Sequence, residues 1–179
     1  MKKTQLLSTL CSALMAGLLV GCADSSDPSG PETVSSFEVI QHEIFDNNCI
    51  SCHTAGSSFA RQSDLVLTAD VAYEQLVGVA PSNSHAAEAG MMRVSSIGPG
   101  GVEQSYLWEK INAPATDHFY SDHPEYGEIM PLGRAPLTAG ELEYIRRWIA
   151  AGAPKSGVVI DPSVLDDTQR YDPSPFQPL

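Results

Sequence analysis

Apolar residues fall into a few short helical patterns separated by long polar stretches. Phe37, Ile40 and Ile44 recur at helical intervals just after Ser35, which with Glu38 has the spacing of a capping box. They predict a helix that ends near Asp46-Asn47-Asn48. A second short helix is expected after Thr68, with Val71, Leu76 and Val77 as its apolar contacts. From Gly78 to Gly101 the chain is rich in Gly, Ser, Ala and Pro, which predicts loop with at most a helical turn. Ser105 opens a further helix, Tyr106 to Ile111. The last helix has the clearest signals: Thr138 and Glu141 form another capping-box pair, and Leu142, Ile145, Trp148 and Ile149 make one apolar face. Arg146 and Arg147 sit towards its C-terminal end, and Gly152 with Pro154 supplies the stop. No stretch alternates as a strand and no internal repeat is visible. The expected fold is therefore all-α, a small helical domain with long loops over residues 36–155. From Lys155 onward Asp and Pro dominate, including Pro173, Pro175 and Pro178. This tail, 156–179, is expected to be extended or disordered, or to lie back across the domain.

The N-terminus has a different pattern. Lys2 and Lys3 precede an uncharged apolar run from Leu6 to Val20, the layout of a secretory signal. The run is marginal in length for a membrane span and stops at Asp24, Ser25 and Ser26. Leu19-Val20-Gly21-Cys22 resembles the lipobox of bacterial lipoproteins, which implies removal of 1–21 and lipid modification of Cys22. Residues 22–35, rich in Ser, Asp, Pro and Gly, then fit a flexible tether. Several acyl chains on one residue give stable anchoring. The expected location is the periplasm or cell surface.

Charge narrows the partners. The formal net charge of −12 becomes −14 on loss of residues 1–21, which hold Lys2 and Lys3 and no acid. Such a surface repels nucleic acid and favours a partner with a basic docking face.

Of the 4 cysteines, Cys11 lies in the signal and Cys22 at the lipid site, leaving Cys49 and Cys52. A local disulfide would suit such a pair, but a histidine follows it directly. In Cys49-Ile50-Ser51-Cys52-His53 two thiols three positions apart can reach both vinyl groups of one haem, and His53 places an imidazole beneath the iron. The spacing is that of covalent haem c attachment. A thioredoxin-like pair would need a preceding strand and a βαβ context, and neither is visible. A structural zinc site would need a distant fourth ligand from His42, His85, His118 or His123.

With these residues in view, the chain resembles a class I cytochrome c. A helix leads into Cys49–His53, and Met130-Pro131 precedes Leu137-Thr138 and the closing run from Glu141 to Pro154. The resemblance covers roughly residues 36–155, with long loops between Phe59 and Tyr126 that compact members lack. It implies a cytochrome c-like fold around one haem, with Met130 as the distal axial ligand opposite His53. Met91 and Met92 are rivals, and His118 or His123 would give bis-histidine ligation. Arg93, Arg134, Tyr106 and Trp108 are candidate propionate partners, each with the simpler reading of a solvated arginine or core aromatic. Phe45, Leu65, Leu67, Leu107 and Ile145 are candidate pocket walls that would suit any apolar core. His42 and His85 read as surface histidines, and Trp148 as helix packing.

The expected function is electron transfer by a lipid-anchored monohaem carrier. No Ser/His/Asp set, phosphate-cradling loop or second metal motif is present, so the chain does not read as an enzyme. Two alternatives remain open: a haem enzyme or gas sensor with an open sixth position, and a haem subunit of a larger membrane-associated redox complex.

Overall fold

The structure is a computed structural model that describes residues 33–116 and 123–171. The expected signal and lipid site at Cys22, most of the expected tether, His118 and residues 172–179 lie outside the described residues.

Helix α1 comprises Ser36–Val39, a π-helical stretch Ile40–Phe45, and Asp46–Asn48. Its start is the expected capping box. The Glu38 carboxylate accepts the Ser35 N–H at 2.7 Å, and Ser35 Oγ accepts the Glu38 N–H at 3.2 Å. Phe37, Ile40, Ile44 and Phe45 are buried on one side of it. The π stretch, marked by Asp46 N–H donating to the Gln41 carbonyl, was not expected.

Helix α2, Ser58–Ser63, also lacks a sequence forecast. Ser57 Oγ caps it by accepting the Ala60 N–H, and left-handed Asp64 (φ 50°) ends it. Helix α3, Ala72–Leu76, is the short helix expected after Thr68, and Leu76 is fully buried. Helix α4, Ser84–Glu88, is the turn of helix within the small-residue loop. Helix α5, Tyr106–Thr116, outruns its expected end at Ile111.

Helix α6, Ala139–Ala150, has the second capping box, between Thr138 and Glu141. Its C-terminus closes as the Gly152-Pro154 signal implied. The Gly152 N–H donates to the Ile149 carbonyl at 2.8 Å and the Ala153 N–H to the Trp148 carbonyl at 2.9 Å. Gly152 supplies the positive φ of 89° that this closure needs. Among the described residues β-pairing is confined to three isolated bridges, so the fold is all-α.

Aromatic packing joins three of the helices. Phe37 of α1 lies 5.4 Å from the Trp148 ring of α6 and edge-on at 5.1 Å to Tyr73 of α3. Such pairs add about 0.5–1.5 kcal/mol each beyond burial. The polar tips are satisfied: Trp148 Nε1 donates to the Pro154 carbonyl and Tyr73 Oη to the Ala153 carbonyl, both at 2.9 Å. One apolar core results, containing Ile40, Ile44, Phe45, Leu67, Leu76, Ile145 and Ile149.

The segment after Lys155 lies back across the domain. The Ser36 N–H donates to the Gly157 carbonyl at 3.0 Å, and Ser36 Oγ accepts the N–H groups of Val159 and Ile160 at 2.9 and 3.2 Å. Ile160 is buried in the main core. Beyond a 3-10 turn at Pro162–Asp166, the carbonyls of Asp167 and Gln169 accept the N–H groups of Gly140 and Ala139 at 2.9 and 2.7 Å. Gly140 is required there, because a Cβ would meet the Val164 and Asp167 carbonyls. Through Arg170 the tail is thus a strap over the starts of α1 and α6, the alternative of lying back across the domain rather than of disorder.

Candidate functional site

Helix α1 delivers Cys49 directly, as its C-terminal cap. The chain then turns tightly: the N–H groups of Cys52 and His53 both donate to the Cys49 carbonyl, at 3.1 and 3.0 Å. This turn brings two thiols and one imidazole onto a single short segment. Three outside contacts brace it. Asn48 Nδ2 donates to Glu141 Oε1 at 3.1 Å, Ser57 Oγ donates to the Cys52 carbonyl, and Arg134 donates to Ser51 Oγ at 3.1 Å.

Cys49 and Cys52 are free thiols, both partly buried. Burial, reinforced by the Glu141 carboxylate and opposed by Arg134, pushes the Cys49 thiol up to about 12. Among the described residues no three His, Cys, Asp or Glu side chains converge to hold a metal ion. The zinc alternative therefore gains no support from the arrangement.

His53 is half-buried and oriented by its neighbours. Its Nδ1 lies 3.2 Å from the Leu65 carbonyl and 3.4 Å from Ser63 Oγ. A carbonyl only accepts, so Nδ1 carries the proton and Nε2 keeps its lone pair. Burial holds the imidazole below its ordinary range, partly offset by the Leu65 bond, so the ring stays neutral at neutral pH. Fixing one ring nitrogen this way is how proteins aim the other at a metal. The sequence did not reveal Leu65 and Ser63 in this role, since a backbone acceptor twelve positions away leaves no residue-type signature.

Met130 packs, partly buried, against the same core as Cys49, Ile50, Leu65, Leu107 and Trp108. Met91 belongs to a separate small cluster with Ala86 and Tyr126, and Met92 is exposed. The His123 ring stacks on Tyr126 at 4.5 Å, in that second cluster. Of the rival ligands within the described residues, Met130 alone shares a core with Cys49. Its N–H donates to the Lys110 carbonyl at 2.7 Å, and its peptide bond to Pro131 is cis.

Among the candidate propionate partners, Arg134 reaches the motif through Ser51. Arg93 is buried and committed to the Gln75 carbonyl and Asp64, at 3.0 and 3.3 Å. Tyr106 Oη donates to the Tyr126 carbonyl at 2.7 Å, and Trp108 packs on the main core. The candidate walls Phe45, Leu67 and Ile145 are core residues, with Leu65 and Leu107 at its border. His42 pairs with Asp46 at the surface, at 3.2 Å, and His85 is exposed. A cleft of about 380 Å3 beside Met91, Glu103, His123 and Tyr126 shares no residue with the motif.

The donor set fits a covalently held haem: two free thiols in one turn, a neutral imidazole with an uncommitted Nε2, and a thioether bordering the same apolar core. Among the described residues, buried Gln41 Oε1 and Tyr144 Oη find no hydrogen-bond partner. Comparison with protein-family models, with curated proteins and with solved structures finds no match to this chain.

Proposed function

We propose that the chain is a monohaem cytochrome c domain that passes single electrons at the cell envelope, tethered to a membrane through lipidated Cys22. Cys49 and Cys52 would attach the haem by thioether bonds, with His53 Nε2 as proximal ligand and the Met130 sulfur as distal ligand. When bound, the haem supplies Fe(III)/Fe(II) one-electron chemistry. The protein's own residues hold and aim the ligands, exclude water through the apolar core, and present an acidic surface to a redox partner with a basic face. Nucleic acid is not a partner on this reading.

The observation that carries the proposal is the hydrogen bond from His53 Nδ1 to the Leu65 carbonyl, directly beside two unpaired thiols. That bond would leave Nε2 of His53 available as a ligand, which supports the reading. The Met130 thioether is a neutral, soft donor, and a His/Met axial pair raises the reduction potential, which suits a carrier more than an oxygen-activating site. Among the described residues no helix is long and apolar enough to cross a membrane.

The test is the visible spectrum of the full chain, exported in a host that matures haem c. Sharp low-spin bands on reduction, with a weak red iron–sulfur band when oxidised, are expected. A high-spin spectrum would move the assignment to a five-coordinate sensor or enzyme. Absence of covalent haem would remove it.

A further inference from the structure

Helix α5 contains a proline within its hydrogen-bond ladder, and the consequence reaches Met130. In α geometry the carbonyl of Lys110 would accept the N–H of residue 114, but Pro114 has none. The carbonyl left without its helical donor accepts the Met130 N–H instead, at 2.7 Å. The Lys110 side chain grips the other end of the same segment. Its Nζ donates to the Tyr126 carbonyl at 2.9 Å, and that carbonyl also accepts Tyr106 Oη at 2.7 Å. Tyr126 is itself buried and stacked on His123. Residues 126–130 are therefore fastened at both ends to Lys110, once through its backbone and once through its ammonium. Lys110 is only 9% exposed, and burying an ammonium is unfavourable unless it is well bonded. Such a group, satisfied by a backbone carbonyl, confines that carbonyl tightly.

We infer that Pro114 and Lys110 are positioning residues for the Met130 sulfur: Pro114 vacates the carbonyl that holds Met130, and Lys110 ties down the start of its loop. The inference rests on the reading of Met130 as the distal haem ligand. It predicts that loosening either tie frees the sulfur while leaving haem attachment at Cys49 and Cys52 intact.

The two ties can be broken separately. Pro114→Ala gives α5 back its missing N–H, which then competes with Met130 for the Lys110 carbonyl. This change favours the helix, so the variant should fold at least as well as the parent. Lys110→Met removes the ammonium but keeps the length and the backbone carbonyl. With the full chain carrying haem, each variant should retain covalent haem but show a weakened red iron–sulfur band. Cyanide should bind the oxidised iron roughly tenfold faster, as expected for losing one strong hydrogen bond on the closed loop. Lys155→Met, at an exposed lysine paired with Glu74, should leave both readouts unchanged. A wild-type band and cyanide rate in Pro114→Ala would overturn the inference, and would do so even if Lys110→Met failed to fold. A parent protein with haem but no iron–sulfur band would instead remove the Met130 reading, and the inference with it.

Discussion

His53 and the 65–67 loop hold each other in both directions: His53 Nδ1 donates to the Leu65 carbonyl at 3.2 Å, and the Leu67 N–H donates back to the His53 carbonyl at 2.8 Å. Gln41 of α1 extends the link, its Nε2 donating to the Leu67 carbonyl at 2.9 Å. The imidazole is thereby fixed relative to the helix that precedes the motif.

This setting gives the haem-free chain a defined pH response. Burial lowers the pKa of His53 in the folded state, so between that lowered value and 6.5 the unfolded chain binds more protons. The contribution of His53 is fully present above about pH 6.5 and is lost as pH falls through the folded-state value. Thermal melts of the haem-free chain and of His53→Asn between pH 8 and 5 should converge on acidification. Parallel curves would show that His53 is not buried as a neutral ring.

On the proposed reading Met130→Ala should keep the haem covalently attached, because the thioether bonds would be at Cys49 and Cys52. The reduction potential should fall and the iron should bind cyanide or carbon monoxide readily. An unchanged potential, with an iron that still refuses these ligands, would exclude Met130 from the coordination sphere.

Gly140→Ala tests the strap. A Cβ at this position meets the carbonyls of Val164 and Asp167, so the strap must lift and the Gly140–Asp167 hydrogen bond lengthen. A cost of about 2 kcal/mol is expected from this overpacking. That corresponds to a drop in Tm of about 5–10 °C. Truncation after Lys155 should cost more, since it also removes buried Ile160 from the core. A truncated chain with the parental Tm would show that the strap is dispensable.

Electron exchange with a basic partner should slow as ionic strength rises, because the formal charge of −12 steers association over a distance set by salt screening. Rates that do not respond to salt between 10 and 500 mM, taken as roughly one to two decades of screening strength, would refute a charge-guided encounter.

What could be read in advance divides along physical lines. Both capping boxes, Ser35/Glu38 and Thr138/Glu141, use partners three residues apart, and both form as expected. The stop at Gly152 is equally local. Helix α2 went unread because its residues, Ser58 to Ser63, bury only Ala60 and so present no apolar period. The π stretch of α1 escaped notice because Ile40 and Ile44 suit either helical spacing. For the strap, Asp and Pro left open whether the segment is loose or lies back across the domain, because its anchors are far away in sequence, the Ser36 hydroxyl standing 124 positions from Ile160. At the candidate site the residue types of Cys49, Cys52, His53 and Met130 were legible. The backbone carbonyls of Leu65 and Lys110 that orient two of them were not, since any residue offers a carbonyl.

The bonds between Ser36 and residues 157–160 also set an order of assembly. A chain made from its N-terminus presents Ser36 first, and Ile160 can reach its place only after the residues between them have been made. Joining partners so far apart must overcome a large closure entropy, and it comes after the helices have formed. Until Ile160 arrives, the start of α1 lacks the clasp that the Ser36 hydroxyl anchors, so a chain cut short of residue 160 leaves that end of the domain open.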